Sequence, residues 1–441
     1  MLDAAVQLLW GWHVLILILA AGVDFSLRSG FFPLRRFGFW MKTAVFGPKK
    51  EKGKISQFQA LTAALAGAIG TGNIVGVAVA IQVGGPGALF WMCVSAGFGM
   101  MTVFAENLLA AKYPSSKGAL GYIEKIKRAG KPLAVLYAAG CFLSSLAMGN
   151  MVQVNAAAAA FAEFGIPPEL SGILLAGLLF FVAVGGLQSA VKVTEKLVPL
   201  MTVLFFSAAV VVLWVFRANI PAAAASVLEG AFSLRAGLGG TAGMLLAAKT
   251  GISRGVFTNE AGLGSSTFAF GEVEGRTPVQ KGCMGIFQVF ADTIVMCTIT
   301  GFCILCANPP DALTGAQLSF YAFEAAMGSW GARLISLCTA LFAVATTVTW
   351  CCYGREGLFY LTGGRGKYLF AVVYALAAFV GCLVPLQVAF QLGDAFNGLM
   401  ATPNLIALFY FGDEVIATLR QEERLGKSLQ KKRKRMGAQW R

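Results

Sequence analysis

Long apolar runs separated by short polar connections pattern this chain from end to end. Windows of about 20 apolar residues, the length a helix needs to cross a hydrocarbon core, recur at roughly 5–27, 57–83, 87–111, 132–162, 169–189, 195–217, 237–270, 279–306, 329–360, 367–385 and 390–411. The pattern predicts an all-α membrane protein with about eleven transmembrane helices. Two of the runs interrupt themselves. The first carries Ala66-Gly67-Ala68-Ile69-Gly70-Thr71-Gly72-Asn73-Ile74-Val75-Gly76, a poor continuous helix. The second carries Gly239-Gly240, Gly243 and then Gly251-Ile252-Ser253-Arg254-Gly255-Val256-Phe257-Thr258-Asn259-Glu260-Ala261-Gly262. Irregular backbone in lipid survives only where it lines a protected cavity, and secondary transporters hold solute and ion at such breaks.

With the first span set aside, ten remain and divide into two fives. An odd number of spans per half forces opposite orientation, and a broken helix opens each half. The expected architecture is one N-terminal helix followed by a five-plus-five inverted repeat with unwound first helices. The divisions fall at 1–56 (N-terminal helix and basic loop), 57–217, 218–412, and a basic tail at 413–441.

Composition agrees with the pattern: of 441 residues, 57% are hydrophobic and only 13% charged, which excludes an ordinary soluble domain. The net charge of +14 raises the question of nucleic acid, but the basic residues fall in every second connection. Arg28, Arg35, Arg36, Lys42, Lys49, Lys50, Lys52 and Lys54 follow the first span, and Lys112, Lys117, Lys125, Lys127, Arg128 and Lys131 the third. Lys192 and Lys196, Arg276 and Lys281, then Arg355, Arg365 and Lys367, and finally Lys431–Arg435 continue the alternation. The intervening connections, such as Gly84-Gly85-Pro86-Gly87 and Asn308-Pro309-Pro310-Asp311, are almost free of Lys and Arg. The expectation is a multi-pass protein of the cell membrane, N-terminus outside and C-terminus cytoplasmic, with basic loops near anionic lipid and no nucleic-acid partner. The first span lacks a basic leader region and reads as an N-out anchor, not a cleaved signal.

Ten cysteines, mostly inside spans, read as small packing residues, and Cys303-Ile304-Leu305-Cys306 lacks a redox context. The single histidine, His13, reads as an interhelical contact. One histidine, no H-E-x-x-H and no clustered acids leave few groups for an enzyme, and no cofactor is expected.

The chemistry concentrates at the breaks. Gly70, Thr71 and Gly72 let backbone approach a ligand, and Asn73 offers the neutral oxygen a hard cation accepts. Asp292 lies mid-span with no basic residue in its own helix; it either ligates Na⁺, accepts hydrogen bonds from the broken helix, or is protonated and packs. Glu106 reads as a structural acceptor for broken-helix amides. Arg254 and Glu260 flank the second break, as an internal gate or a stabilising salt bridge. Gln153 and Asn155 lie about 200° apart on one helix, so both need not face the site.

The segments Gly70-Thr71-Gly72-Asn73-Ile74-Val75-Gly76-Val77-Ala78 and Gly84-Gly85-Pro86-Gly87-Ala88-Leu89-Phe90-Trp91-Met92 strongly resemble the alanine or glycine:cation symporter family. So do Tyr122-Ile123-Glu124-Lys125, Thr258-Asn259-Glu260-Ala261-Gly262-Leu263-Gly264 and Phe396-Asn397-Gly398-Leu399-Met400-Ala401-Thr402-Pro403-Asn404. The resemblance covers essentially all spans. It implies sodium-driven import of small neutral amino acids (alanine, glycine, serine as an extension) on a leucine-transporter-like fold, by alternating access. Ala68–Asn73 is also similar to the unwound first core helix of sodium-coupled neurotransmitter transporters, which implies a first Na⁺ site at the Ala68 carbonyl and Asn73. A second would use the Ile69 carbonyl with Thr346 and Thr347; the alternative is that these hydroxyls bond their own helix. Gln153 matches a family glutamine of the substrate pocket, and Phe257 and Trp350 would close that pocket or simply pack. Cys351-Cys352 departs from the family's aromatics and suggests a wider wall. The rival to sodium coupling is a proton-coupled carrier titrating Asp292; a membrane-embedded enzyme or a channel fits less well.

Overall fold

The computed structural model describes residues 2–46, 56–114, 117–185, 187–232 and 241–438, and its regular elements are all helices, with no strand among the described residues. The helices used below are α1 (Leu2–Leu9), α2 (Trp12–Arg28), α3 (Gln57–Ala68), α4 (Val75–Gly84), α5 (Gly87–Lys112), α6 (Gly130–Leu146) and α7 (Val152–Ala162). They continue as α8 (Pro168–Gly185), α9 (Leu187–Val215), α10 (Thr241–Asn259), α11 (Thr267–Phe270), α12 (Pro278–Val289) and α13 (Thr298–Ala307). The last four are α14 (Ser329–Thr362), α15 (Lys367–Leu383), α16 (Leu386–Tyr410) and α17 (Gly412–Ala438).

Seven stretches of the described residues are long and apolar enough to cross a membrane. The other four predicted spans are helical but shorter, broken or more polar, for reasons that bear on the site. The run at 57–83 is split into α3 and α4, of 12 and 10 residues. Helix α10 holds Lys249, Ser253 and Arg254 in 19 residues, and α15 has 17. Helix α16 places Asp394, Asn397 and Asn404 among its buried residues. Polar side chains inside a span cost several kcal/mol facing lipid and therefore face the bundle interior. Burial sorts the apolar stretches accordingly: 78% of the window in α14 and 67% in α5 is buried, against 28% in α8 and 33% in α9. Helices α5 and α14 are central, and α8 and α9 present Phe181, Val203 and Trp214 outward.

The first interruption lies where the sequence predicts it. Ser56 caps α3 by accepting the Gln59 amide, and Gln59 returns the bond. The helix ends at Ala68, Ile69 and Gly70 run extended, Thr71–Asn73 make one tight turn, and α4 resumes at Val75. The second interruption begins later than expected. Helix α10 continues through Gly251 and Gly255 to Asn259, and the break occupies 260–266, with positive φ at Glu260 (60°), Gly262 (90°) and Gly264 (69°). The two earlier glycines serve packing: a Cβ on Gly251 would lie 2.3 Å from the Ala88 carbonyl oxygen, and one on Gly255 2.3 Å from Ser95 Oγ. Their four-residue spacing lets α10 and α5 approach closely. Gly239 and Gly240, expected in the same break, lie outside the described residues.

At the end of the bundle where the Lys- and Arg-rich connections gather, α17 docks through Arg28–Asp413, Arg35 and Arg36 with Glu423, and Lys112–Glu414. Lys49, Lys50, Lys52 and Lys54 and the side chains of Lys431–Arg435 are outside the described residues. All ten cysteines are free thiols, nine of them buried. His13 faces outward instead of lying between helices, because Val14 and Leu15 take the inner face of α2.

Candidate site at the two helix breaks

The first break is held by side chains from three other segments. The Gly70 amide donates to Asn73 Oδ1 at 2.9 Å, closing the turn on itself. The Thr71 amide and hydroxyl both donate to Gln153 Oε1, at 2.9 and 2.8 Å. Asn73 Nδ2 donates to Asp292 Oδ1 at 2.6 Å and to its carbonyl at 3.1 Å. Thr293 Oγ1 donates to Asp292 Oδ2 at 2.6 Å. Asp292 is therefore an acceptor for the broken helix, buried and with no Lys or Arg among its described partners.

Both partner segments leave α-helical geometry just where they meet the break. Ala147–Met151, leading into α7 and Gln153, and Phe290–Cys297, holding Asp292, are π-helical turns. Such turns shift side-chain register and expose carbonyls, and they concentrate at functional sites. Nothing in the apolar pattern announces them.

Thr346 on α14 donates to the carbonyls of Ala66 at 2.8 Å and Ile69 at 3.3 Å. A Cβ on Gly70 would sit 2.5 Å from Thr346 Oγ1 and 2.8 Å from Gln153 Oε1, so this approach requires glycine. Thr347 is turned away: its hydroxyl bonds the Ala343 and Val344 carbonyls of its own helix, both at 3.0 Å. Adjacent residues point about 100° apart on a helix, so the pair divides its roles. Ala68 is the last residue of α3; the Ala66 carbonyl, which the sequence did not single out, comes to Thr346. Asn155 leaves the site and ties α7 to the Gly381 and Val384 carbonyls at 2.9 and 2.7 Å.

At the second break Glu106 accepts the amides of Gly262 (2.9 Å) and Gly264 (3.1 Å) and Asn404 Nδ2 (2.8 Å), all on Oε1. Asn404 also donates to the Gly262 carbonyl at 2.8 Å and accepts from the Tyr122 hydroxyl. Two unwound glycine amides are thereby satisfied in a dry interior.

The expected Arg254–Glu260 pairing does not form. Arg254 is paired with Asp394 of α16, and its guanidinium carbon lies 5.0 Å from the Phe257 ring centre and 4.6 Å from that of Phe390. Glu260 accepts the Trp350 indole N–H at 2.8 Å and the Ser265 hydroxyl. Arg254 sits five residues before the end of α10, and its side chain is turned to Asp394 of α16. Asp394 was missed although the rule that flags Asp292, a carboxylate inside a span, applies to it equally. Arg254 and Asp394 line a cavity of about 640 Å³, whose wall also includes Trp10, Gln82, Lys249 and Thr314.

Trp350 is fully buried and packs edge-on against Tyr353, with ring centres 5.6 Å apart. Phe257 faces Phe390 at 5.2 Å and lies beside Gly72, whose Cβ would meet its ring at 3.6 Å. Cys351 and Cys352 belong to a different apolar cluster from Trp350, with Phe370 and Tyr374.

Comparison with known proteins agrees over nearly the whole chain. Residues 1–436 match the family described as the sodium:alanine symporter family. The chain is 37% identical over 426 residues to the sodium/alanine symporter AgcS of Methanococcus maripaludis, covering 92% of this chain and 93% of that one. It is 31% identical over 433 residues to a Bacillus subtilis protein named "Probable sodium/glutamine symporter GlnT", covering 96% and 90%. In three dimensions it is similar to MhsT, solved in complex with L-phenylalanine, with a TM-score of 0.58 over 84% of this chain and 97% of that one. At 17% identity that likeness is one of fold, the leucine-transporter-like fold.

Proposed function

Because the chain belongs to the sodium:alanine symporter family, whose members are transporters and not enzymes, we propose that it imports alanine, glycine and serine with sodium by alternating access around the first break. The observation that carries this reading is the convergence of Gly70–Asn73, Gln153, Asp292 and Thr346 from four separate segments on one unwound turn.

Gln153 Oε1 takes the two Thr71 donors that a substrate carboxylate would need. On this account the carboxylate displaces that oxygen and the glutamine amide turns to follow it. Thr346 Oγ1 and the Ala66 and Ile69 carbonyls supply three neutral oxygens, the donor class a hard monovalent cation takes. Asp292 adds a carboxylate held at the turn by the Asn73 amide nitrogen, and Asn73 Oδ1, which accepts the Gly70 amide, adds a further neutral oxygen. Phe257 and Trp350 limit the side chain to small groups. Each added methylene is then discriminated by about 1–3 kcal/mol, and by more where it clashes.

The cavity bounded by Arg254 and Asp394 reaches Gln82 and Thr314, beside the connections poor in Lys and Arg, which supports assigning it to the outer face. The ion pair would then separate and re-form as access alternates. Removing one member of a buried pair costs about 3–5 kcal/mol, whereas replacing both with apolar groups is often neutral.

Reconstitution tests the reading. In proteoliposomes, alanine, glycine and serine should exchange by counterflow in the presence of sodium and leucine should not; uptake indifferent to sodium and driven by a pH gradient would replace this account with proton coupling through Asp292. In the same vesicles R254M should reduce the yield of folded protein, and R254M/D394L should restore yield without restoring transport. Normal transport by the double variant would reduce the pair to a brace.

A further inference from the structure

The second break touches the wall of the proposed pocket through one bond, between Glu260 and Trp350. Glu260 opens the break with a φ of 60°, a left-handed backbone that a residue with a Cβ adopts only when its surroundings hold it there. Glycine would relieve that strain, so the side chain must contribute something glycine cannot. Its two oxygens are divided: Oε1 accepts the Trp350 Nε1–H at 2.8 Å, and Oε2 accepts the Ser265 hydroxyl. No Lys or Arg pairs with it among the described contacts, and Arg254, six residues earlier, is engaged by Asp394.

Trp350 is fixed from the other side as well. Gly149, in the π-helical turn before α7, lies against it so closely that a Cβ there would be 2.3 Å from Trp350 Cβ. The indole is therefore met at its root by close backbone and at its N–H by a carboxylate. Trp350 also lies one helical turn beyond Thr346 on the same face of α14. That face meets the first break through Thr346 and the second through Trp350.

We propose that Glu260 is a positioning residue for substrate selectivity, fixing the tilt of the Trp350 ring so that the pocket rejects side chains larger than a methyl or hydroxymethyl group. The proposal rests on the reading that Trp350 walls the pocket. A stiff wall discriminates because added methylenes have nowhere to go; a ring free to rotate yields, and the discrimination falls. Loss of the acceptor would also leave a buried indole N–H unpaired, which drives the ring to a new orientation.

The test is competition for labelled alanine uptake by glycine, alanine, valine and leucine, in proteoliposomes containing the full chain. Four variants separate the possibilities: E260A removes the acceptor, E260Q keeps an oxygen at the same reach, W350F keeps a smaller aromatic ring without the N–H, and W350A removes the wall. The expected result is that E260A and W350F lower the potency ratio of alanine over leucine roughly tenfold, through a lower apparent KM for the larger substrates, while E260Q keeps the parent ratio. W350F leaves the backbone of the break untouched, so where E260A does not fold, a parent ratio in W350F overturns the positioning role. If W350A broadens selectivity while E260A and W350F keep the parent ratio, the positioning role is overturned and the pocket wall stands. If W350A itself keeps the parent ratio, Trp350 does not wall the pocket and the underlying reading fails.

Discussion

Replacing Asn73 with alanine should abolish sodium-dependent alanine uptake while leaving a protein that still folds and inserts. Asn73 is the hinge of the first break in a chemical sense: its oxygen closes the turn by accepting the Gly70 amide, and its nitrogen binds Asp292 twice. Alanine leaves one buried donor and one carboxylate oxygen unpaired, at about 1–3 kcal/mol each, and more for the charged group. That cost falls on a turn already outside any helix, so a global stability of about 5–15 kcal/mol can absorb it. On the proposed reading the ion site cannot, because the variant would lose a ligand and the geometry of the turn together. Initial uptake rates at saturating sodium should drop to the level seen in choline, with an unchanged elution profile in detergent. Near-normal sodium dependence would remove Asn73 from the ion site.

Glu106→Ala should produce the opposite phenotype, a loss of folded protein. One oxygen of Glu106 satisfies the Gly262 and Gly264 amides in the interior. Removing it orphans two buried N–H groups, about 2–6 kcal/mol in total, a large fraction of what holds a protein together. Asn404 keeps its bond to the Gly262 carbonyl but loses its anchor in α5. Glu106→Gln retains an acceptor oxygen and should recover most of the stability. Thermal melting followed by size-exclusion fluorescence checks this: E106A should be aggregated or melt far below E106Q, and equal melting of the two would contradict the structural role.

These residues differ in how far their roles could be read from the sequence. Gly70, Thr71, Gly72 and Asn73 interrupt an apolar run with residues that helices and lipid both disfavour, so the first break is legible directly. The start of the second break is not, because glycine has two uses that look identical in a sequence. Gly251 and Gly255 let two helices touch, whereas Gly262 and Gly264 supply positive φ. Only the position of neighbouring α5 distinguishes them. Pairings across the chain are harder still: Arg254 sits six residues from Glu260, the nearer carboxylate in sequence, yet its partner Asp394 is 140 residues away on α16. Thr346 and Thr347 were equivalent as neighbours, and helical geometry alone turns one to the break and the other to its own carbonyls. The π-helical turns at 147–151 and 290–297 have no signature of spacing or composition, although they aim Gln153 and Asp292 at the site.

Coupling is the central claim: ion and amino acid meet at the same unwound turn, so each should raise the other's affinity by the same factor. Equilibrium binding of labelled alanine to the purified protein across a sodium titration at constant pH and ionic strength measures that factor directly. The account predicts that alanine affinity rises with sodium by at least about tenfold, and that sodium affinity rises equally when alanine is added. Alanine binding of the same affinity in sodium and in choline would contradict it.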